Sequence, residues 1–337
     1  MTKKNSEFSR LLAEFLTIYL PYQRGYSKNT ILSYRDTFKQ ILLYFSAKNI
    51  KSNKITLDKF NKDSVIDFLN WINPEHKLSA STLNSRLAAI KSFFHYVVFS
   101  SPENVYNFQQ VFEIPFKKKH GKVIPSLTVN QVKAIFDAVD IRNRKGLRDL
   151  TILSSLYDSG ARVQELIDLT ISDYCPGPNP YLLLKGKGNK SRKVPITTEV
   201  SNLIRKYKEC FRLNENTYAN DLLFRNNRNE KLTKSGITYI LNKYVQIARA
   251  VDPSIPEHVH CHMMRHSKAF HLLEAGVPLP YIQDFLGHAD ITTTQVYARA
   301  SVEMKAKAIN KAYRSFVDDR PLDWTEKPEL MEFLESL

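Results

Sequence analysis

The sequence predicts a mainly α-helical protein with a small β component, folded as two domains. Three observations lead to this fold class. Over most of the 337 residues, apolar side chains recur at spacings of three and four, the period of amphipathic helices. One glycine-rich segment, YLLLKGKGNKSRKVPIT, instead has the pattern of two strands joined by a turn. The helical period breaks between Phe108 and Val123, where a lysine-rich stretch separates two halves.

From these patterns we expect a helical domain at residues 1–110, a linker at 111–124, an α+β domain at 125–316 and an acidic tail at 317–337. The net charge is +15 and the sequence pI is about 9.5, which predicts a polyanionic partner such as nucleic acid. Both predicted domains are basic, whereas residues 315–337 carry seven acidic against two basic side chains.

The composition also indicates the cellular compartment in which the protein works. The three cysteines, Cys175, Cys210 and Cys261, form neither a disulfide framework nor a C-x-x-C pair, which is typical of a reducing compartment. The N-terminus has no signal peptide, and no apolar run approaches the ~20 residues of a membrane span. We therefore expect a soluble cytoplasmic protein with no membrane partner.

Four helices are predicted within residues 6–110. The first carries Phe8 to Leu16, and the second follows Ser27, which suits an N-cap. The third lies in DKFNKDSVIDFLNWI and the fourth in SASTLNSRLAAIKSFFHYVV. The second and fourth have basic residues on their polar faces, which either form an ordinary solvated surface or contact DNA: Lys28, Arg35, Lys39, Arg86 and Lys91.

The linker contains Lys117, Lys118 and Lys119, which are either a solvated loop or a crossing of the DNA backbone. Thr128 then precedes VNQVKAIFDAV and predicts a capped helix that opens the second domain.

A helix that ends at Gly160 is followed by ARVQELIDL, which places Arg162 at a helix start and Glu165 three residues later on the same face. A surface salt bridge would explain this pair equally well at this point.

The predicted hairpin carries several basic side chains in and around its turn. Lys187 lies between two glycines, with Lys185 and Lys190 close by, and Arg192 follows in the second strand. Lysines in a turn are usually only exposed, so this segment acquires a function only together with the rest of the chain.

The stretch from His260 to Tyr297 contains the most unusual chemistry. His262 and Arg265 share one face of a predicted helix, a second short helix ends at Gly287, and His288 follows at once. Tyr297 lies nine residues further on. The many histidines also raise the possibility of a metal site, but their spacing matches neither C-x-x-C nor H-E-x-x-H patterns, so we expect no metal.

These motifs resemble the tyrosine recombinase (integrase) family. H-x-x-R-H, L-G-H and a tyrosine nine residues later are similar to its C-terminal half, and A-R-x-x-E-L and G-K-G-N-K-x-R-x-V-P to its upstream motifs. S-x-N-T-x-x-x-Y-R and T-L-N-S-R-L-A-A-I-K-S-F-F resemble its helical, four-helix core-binding domain. The resemblance implies a supporting role for Glu165, DNA contacts by Lys190 and Arg192, and a catalytic set: Arg162, Lys187, His262, Arg265, His288 and Tyr297.

The resemblance also implies a reaction. Arg162 and Arg265 would stabilise the charge of a phosphodiester in transit, and Tyr297 would attack it with help from His262. Lys187 would protonate the departing 5′ oxygen, and His288 would hydrogen-bond the phosphate. The product would be a 3′-phosphotyrosyl link, on the way to a Holliday junction, with no metal, ATP or other cofactor.

Several alternatives remain open on the sequence alone. The protein would be the integrase or transposase of a mobile element, or an Xer-type resolvase of chromosome or plasmid dimers. A DNA-binding protein without strand transfer and a type IB topoisomerase are less favoured. We expect no separate arm-binding domain. The expected partner is double-stranded DNA with paired sites, in the bacterial nucleoid. The protein would bind each site as a dimer and form a tetramer in the synapse, and accessory proteins are possible partners.

The acidic tail carries an apolar stripe of Leu330, Phe333, Leu334 and Leu337 on a predicted short helix. Either this helix folds back on its own domain, or it docks on a neighbouring subunit, as the resemblance implies.

Overall fold

The structure is a computed structural model. It describes residues 7–74, 77–100, 105–118, 124–186, 190–213, 220–287, 332 and 334–336. The chain divides into two compact units, Met1–Lys122 and Val123–Leu337. Both units are built mainly of helices, and the second also holds a small sheet, so the predicted fold class is confirmed. No helix among the described residues combines the length and the apolar character that a membrane crossing requires.

The first unit is helical throughout its described part. Ser27 caps the second helix as predicted, since its hydroxyl accepts from the backbone N–H of Thr30. The first helix continues as a π-helix over Phe15–Gln23, a segment that contains Pro21. The α-helices described in this unit are α1 (Glu7–Glu14), α2 (Lys28–Ala47), α3 (Lys62–Trp71), α4 (Ala80–Ser100) and α5 (Val105–Glu113).

Aromatic side chains fill the core of this unit. Phe8, Phe15 and Phe93 are buried and pack edge to face, and Phe94 stacks on Phe108 with ring centroids 4.4 Å apart.

Helix α5 was predicted only in part. It runs to Glu113, which lies inside the stretch predicted to be the linker, and Val111 and Ile114 are buried in the core of the first unit. Val105, Phe108, Val111 and Phe112 recur at spacings of three and four, so the helical period in fact continues beyond Phe108, where the sequence analysis placed the break.

The second unit surrounds a three-stranded antiparallel sheet with helices. Its first helix begins at Thr128, which forms the predicted cap, here a capping box with Gln131. The described helices are α6 (Val129–Asp137), α7 (Arg144–Asp158), α8 (Val163–Ile167), α9 (Thr198–Cys210), α10 (Lys234–Val251), α11 (Cys261–Glu274) and α12 (Leu279–Leu286). The strands are β1 (Tyr174–Cys175), β2 (Tyr181–Lys185) and β3 (Ser191–Pro195), in that order.

Strands β2 and β3 form the predicted hairpin, with Leu184 paired to Arg192 and Leu182 to Val194. Leu182, Leu184 and Val194 are buried, so one face of the hairpin packs on the core. Arg192 shares the face of Val194 because side chains alternate along a strand. This face therefore brings a basic side chain into the interior of the unit.

Candidate active site

Arg162 lies at the start of α8 and is held there by Glu165. Arg162 Nη1 donates to Glu165 Oε1 at 2.8 Å, and the backbone N–H of Arg162 donates to Oε2 at 2.9 Å. Only 4% of the Glu165 side chain is exposed, whereas 42% of the Arg162 side chain is. The carboxylate is thus fixed in the interior and directs the guanidinium of Arg162 toward the surface.

Glu165 has a second cationic partner in Arg192. Arg192 Nη1 and Nη2 donate to Oε1 and Oε2 at 3.0 and 2.9 Å, a two-pronged pairing. Burial alone would raise the pKa of Glu165, but the bonds and positive charge of Arg192 and the bonds from Arg162 outweigh it and lower the pKa to about 2. Glu165 therefore stays ionised at neutral pH.

Arg265 is buried on α11, with 1% exposure. Its Nη1 donates to the carbonyl oxygen of Gly160 and its Nη2 to that of Leu286, both at 2.5 Å. Gly160 has a φ of +54°, which a glycine adopts without strain and which turns its carbonyl toward α11. A buried permanent cation is thereby held by two fixed dipoles from separate segments.

The C-terminal end of α12 joins the three arginines. Its last carbonyls have no partner within the helix. The carbonyl of Phe285 accepts from Arg192 Nε at 3.1 Å, Leu286 accepts from Arg265, and Gly287 accepts from Arg162 Nη2 at 3.2 Å.

Cations are favoured at such a helix end by the helix dipole as well as by the free carbonyls. Gly287 closes the helix in the left-handed conformation with a φ of +63°. In the sequence this glycine predicted only the end of a helix. In the structure three guanidiniums bind the carbonyls at the same turn.

His262 stands on the first turn of α11 and reaches the surface. Burial of part of the ring, and then the positive charges of Arg265, His260 and Arg162, lower the pKa of His262. The imidazole is therefore neutral near pH 7 and can accept a proton. His266 packs against it, with ring centroids 4.5 Å apart and the planes nearly perpendicular.

The predicted catalytic set is only partly described by the structure. Arg162 and Arg265 meet at the end of α12, with Glu165 bound to Arg162, and His262 lies close enough to both arginines for their charges to lower its pKa. Three further predicted catalytic residues lie outside the described residues: Lys187, His288 and Tyr297.

The two lysines that flank the hairpin turn differ from one another. Lys185 Nζ lies 2.9 Å from the buried carboxylate of Asp173, so its charge already has a partner. Lys190 is exposed, and its carbonyl accepts from the backbone N–H of Gly186 and closes the turn. The ion pair weighs against Lys185 as the proton donor of this segment.

Most of the side chains predicted to contact DNA lie on the surface. Arg35 is exposed and pairs with the neighbouring Asp36 at 2.9 Å. Lys119 lies outside the described residues. The others that are exposed are Lys28, Lys39, Lys117, Lys118 and Lys190.

Three of the residues predicted to contact DNA direct donors to protein acceptors. Arg86 Nη1 donates to the carbonyl of Ser33 and to the hydroxyl of Thr37, and so joins α4 to α2. Lys91 Nζ donates to backbone carbonyls at the end of α5. Arg192 donates to Glu165 and Phe285, as described above. Their basic character alone could not distinguish a phosphate ligand from a residue that holds the fold.

Among the described residues, no three His, Cys, Asp or Glu side chains gather into a set that could hold a metal ion. That the reaction needs no metal stays a prediction.

Comparisons with known proteins agree over both units. Residues 125–304 match the model of the phage integrase family, and residues 12–99 match that of the phage integrase N-terminal SAM-like domain. The chain is 33% identical to the integrase/recombinase y4rC of Sinorhizobium fredii, over 99% of each chain. It is 30% identical to the tyrosine recombinase XerD of Listeria monocytogenes, over 90% of this chain and 98% of that protein.

Solved structures resemble the fold as a whole. A XerH site-specific recombinase bound to its palindromic difH substrate has a TM-score of 0.68 at 22% identity, covering 85% of this chain and 80% of that one. The integrase of the transposon Tn1549, in complex with transposon right end DNA, has a TM-score of 0.67 at 19% identity, covering 90% and 98%. At these identities the likeness extends to the fold and no further.

Proposed function

We propose that this chain, which belongs to the phage integrase family of tyrosine recombinases, is the integrase or transposase of a mobile genetic element. Members of this family cleave and rejoin DNA at specific sites. The alignment with the integrase/recombinase y4rC spans 99% of both chains, which supports this role. The alignment with XerD spans 98% of XerD but 90% of this chain, so part of the chain has no counterpart there.

A second candidate role is that of an Xer-type resolvase of chromosome or plasmid dimers. The 30% identity to XerD over nearly all of that protein favours it. The two roles share one chemistry and differ in the DNA sites that are joined.

One observation supports the catalytic roles above all others: two guanidiniums bind carbonyls at the end of α12, and the charges of both act on the imidazole of His262. In this arrangement Arg162 donates to the non-bridging oxygens of the scissile phosphate, and the buried charge of Arg265 stabilises the negative charge that grows on them in the transition state. Arg162 reaches the surface, so it is the guanidinium open to a phosphate, and Arg265 supplies a buried positive charge close behind.

In the proposed reaction the Tyr297 hydroxyl attacks phosphorus, the bond to the 5′ oxygen breaks, and a 3′-phosphotyrosyl link forms. His262 takes the proton of Tyr297, for which its lowered pKa provides the neutral form. Lys187 gives a proton to the leaving 5′ oxygen, a role that the ion pair of Lys185 with Asp173 makes less available to Lys185. His288 donates to the phosphate.

We further propose that the protein acts on double-stranded DNA with paired sites in the bacterial cytoplasm, as a dimer on each site and a tetramer in the synapse. Net charge and the exposed lysines of the first unit support the DNA partner. The XerH and Tn1549 structures are DNA complexes, and a lambda integrase dimer bound to a core site also resembles this fold. The acidic tail is proposed to dock on a neighbouring subunit.

Tyr297→Phe tests this function. Fragments of the source genome selected for binding supply the site, and a labelled duplex nicked near the cleavage position traps covalent protein. We expect the wild type to form a labelled band that survives denaturation, in EDTA and without nucleotide. The Tyr297→Phe variant should bind the duplex but give no band.

Tyr281→Phe is the matched control, because Tyr281 is an exposed tyrosine on α12. It should form the covalent band at the wild-type rate. A trapped Tyr297→Phe protein, or a wild type that binds and never cleaves, would contradict the proposal, and the latter result would favour a DNA-binding protein without strand transfer.

A further inference from the structure

Arg192 binds the same carboxylate as Arg162, but the proposed reaction gives it no role. It lies on β3 with 12% of its side chain exposed. Its Nε, Nη1 and Nη2 each donate to protein, to the carbonyl of Phe285 and to the two oxygens of Glu165. A guanidinium with its fork committed in this way is poorly placed to bind a phosphate of DNA.

The carboxylate of Glu165 is shared by two arginines. Oε1 accepts from Arg162 at 2.8 Å and from Arg192 at 3.0 Å, while Oε2 accepts from the Arg162 backbone and from Arg192. Arg192 thus fixes both oxygens of the carboxylate, and Glu165 in turn orients Arg162.

Arg192 also joins this trio to α12. Besides the bond to the Phe285 carbonyl, the guanidinium packs on the backbone of Gly287, where a Cβ atom would stand 2.9 Å from Arg192 Nη1. Arg192 therefore contacts both the residue that orients Arg162 and the helix end that precedes His288 in the sequence.

We propose that Arg192 is a positioning residue of the catalytic centre: it holds Glu165 so that Arg162 stays oriented, and it fixes the end of α12. This inference rests on the proposed function. Arg192 touches neither substrate nor reacting atoms in this role, and its effect passes through Glu165 and the α12 terminus.

The test separates DNA binding from cleavage. Single-turnover cleavage of the nicked duplex is measured with protein in excess, at a temperature where circular dichroism shows every variant folded. Arg192→Gln should lower the cleavage rate of bound DNA by about 100-fold, the size expected when a catalytic group is displaced by about 1 Å. The Kd for DNA and its salt dependence should stay unchanged.

Lys193→Gln is the matched control, because it removes a positive charge from the next residue of β3, whose side chain is exposed. It should leave the cleavage rate of bound DNA unchanged. Arg192→Lys, which keeps the charge and loses the fork, should show a smaller fall than Arg192→Gln, and it serves as the test if the glutamine variant does not fold.

A double variant shows whether Arg192 acts through Glu165. If it does, Glu165→Gln combined with Arg192→Gln should be about as slow as the slower single variant. Multiplied effects would overturn the inference, because they would mean that Arg192 acts independently of Glu165.

A different result would also overturn it. Weaker DNA binding with a salt slope lowered by about one, and normal cleavage once bound, would make Arg192 a phosphate ligand instead. The wild type, assayed in parallel, separates the two claims: if it never cleaves, the proposed function fails, whereas an active wild type with an equally active Arg192→Gln contradicts only the positioning role.

Discussion

Helices α5 and α12, one in each unit, end in the same way and serve different purposes. At the end of α5, the single ammonium of Lys91 donates to the carbonyls of Phe112 and Ile114 at 2.7 and 2.6 Å. At the end of α12, three guanidiniums divide the last three carbonyls among them. Both ends are satisfied by cations, as the helix dipole favours.

The two helix ends differ in whether the cation that binds the carbonyls can also reach a ligand at the surface. Burial lowers the pKa of Lys91, and its ring neighbour is Phe116, so the ammonium only holds the chain after α5. At α12 the forked guanidinium of Arg162 binds a carbonyl and a carboxylate and still reaches the surface. A net charge of +15 therefore overstates the charge available to DNA, because part of it holds backbone carbonyls.

The largest effect is expected from closing the space at the end of α12 with Gly287→Ala. The alanine would have to adopt a φ of +63°, which costs about 1–2 kcal/mol, and its methyl group would press on Arg192. Overpacking adds about 1–3 kcal/mol. We expect a lower free energy of unfolding in chemical denaturation and loss of most covalent complex with the nicked duplex.

Gly276→Ala is the matched control for that variant. Gly276 also has a positive φ, of +84°, but a Cβ atom there would meet nothing within 4 Å. It should lose only the conformational part, about 1–2 kcal/mol, and keep its cleavage activity. Equal losses in the two variants would show that contact with Arg192 contributes nothing.

Local motifs predicted much of this site. The i, i+3 spacings brought Arg162 together with Glu165, and they placed His262 and Arg265 on the first two turns of one helix. The spacing did not indicate that Arg265 would be buried while His262 reaches the surface.

The hydrogen bonds of Arg192 could not be predicted from local spacing, because its partners are distant in sequence. Glu165 lies 27 residues before it and Phe285 lies 93 residues after it. One local signal was available: Val194 faces the core, and the alternation of β3 turns Arg192 inward with it and Lys193 outward. A basic residue on the buried face of a strand indicates a buried partner rather than a DNA contact.

A smaller effect is expected from Lys91→Met, which keeps the apolar stem and removes the ammonium at the end of α5. Two carbonyls lose their donor, so the free energy of unfolding should fall by about 1–2 kcal/mol. Lys39→Met is the control, since Lys39 is exposed on α2 and was also predicted to contact DNA.

DNA binding distinguishes the two lysines. If Lys91 only caps α5, the salt slope of binding should stay the same in Lys91→Met, whereas each lost phosphate contact lowers the slope by about one. A lower slope with unchanged stability would reverse the comparison and make Lys91 a DNA ligand.

The smallest effect concerns the carbonyl of Leu127, which is held by a neutral ring instead of a cation. His271 on α11 lies 2.9 Å through Nε2 from the Leu127 carbonyl, which can only accept, so Nε2 carries the proton. Nδ1 then accepts from the hydroxyl of Tyr157 at 2.7 Å, and burial followed by the nearby Asp158 raises the pKa of Tyr157 to about 12. Burial lowers the pKa of His271 itself, so the folded protein favours the neutral ring.

A histidine with a lowered pKa stabilises the fold above its unfolded pKa of about 6.5, and the contribution is lost as the pH falls through the folded value. His271→Gln should lower the free energy of unfolding by about 1 kcal/mol at pH 7.5, because the bonds to Leu127 and Tyr157 are impaired. The difference in unfolding free energy between wild type and variant should narrow as the pH falls below about 6.5, because His271 then binds a proton in the unfolded wild type before it does in the folded protein. Denaturant unfolding at several pH values measures this, with His258→Gln as the exposed control. A gap that widens toward pH 5 would mean that the ring is charged in the fold and holds Leu127 as the arginines hold α12.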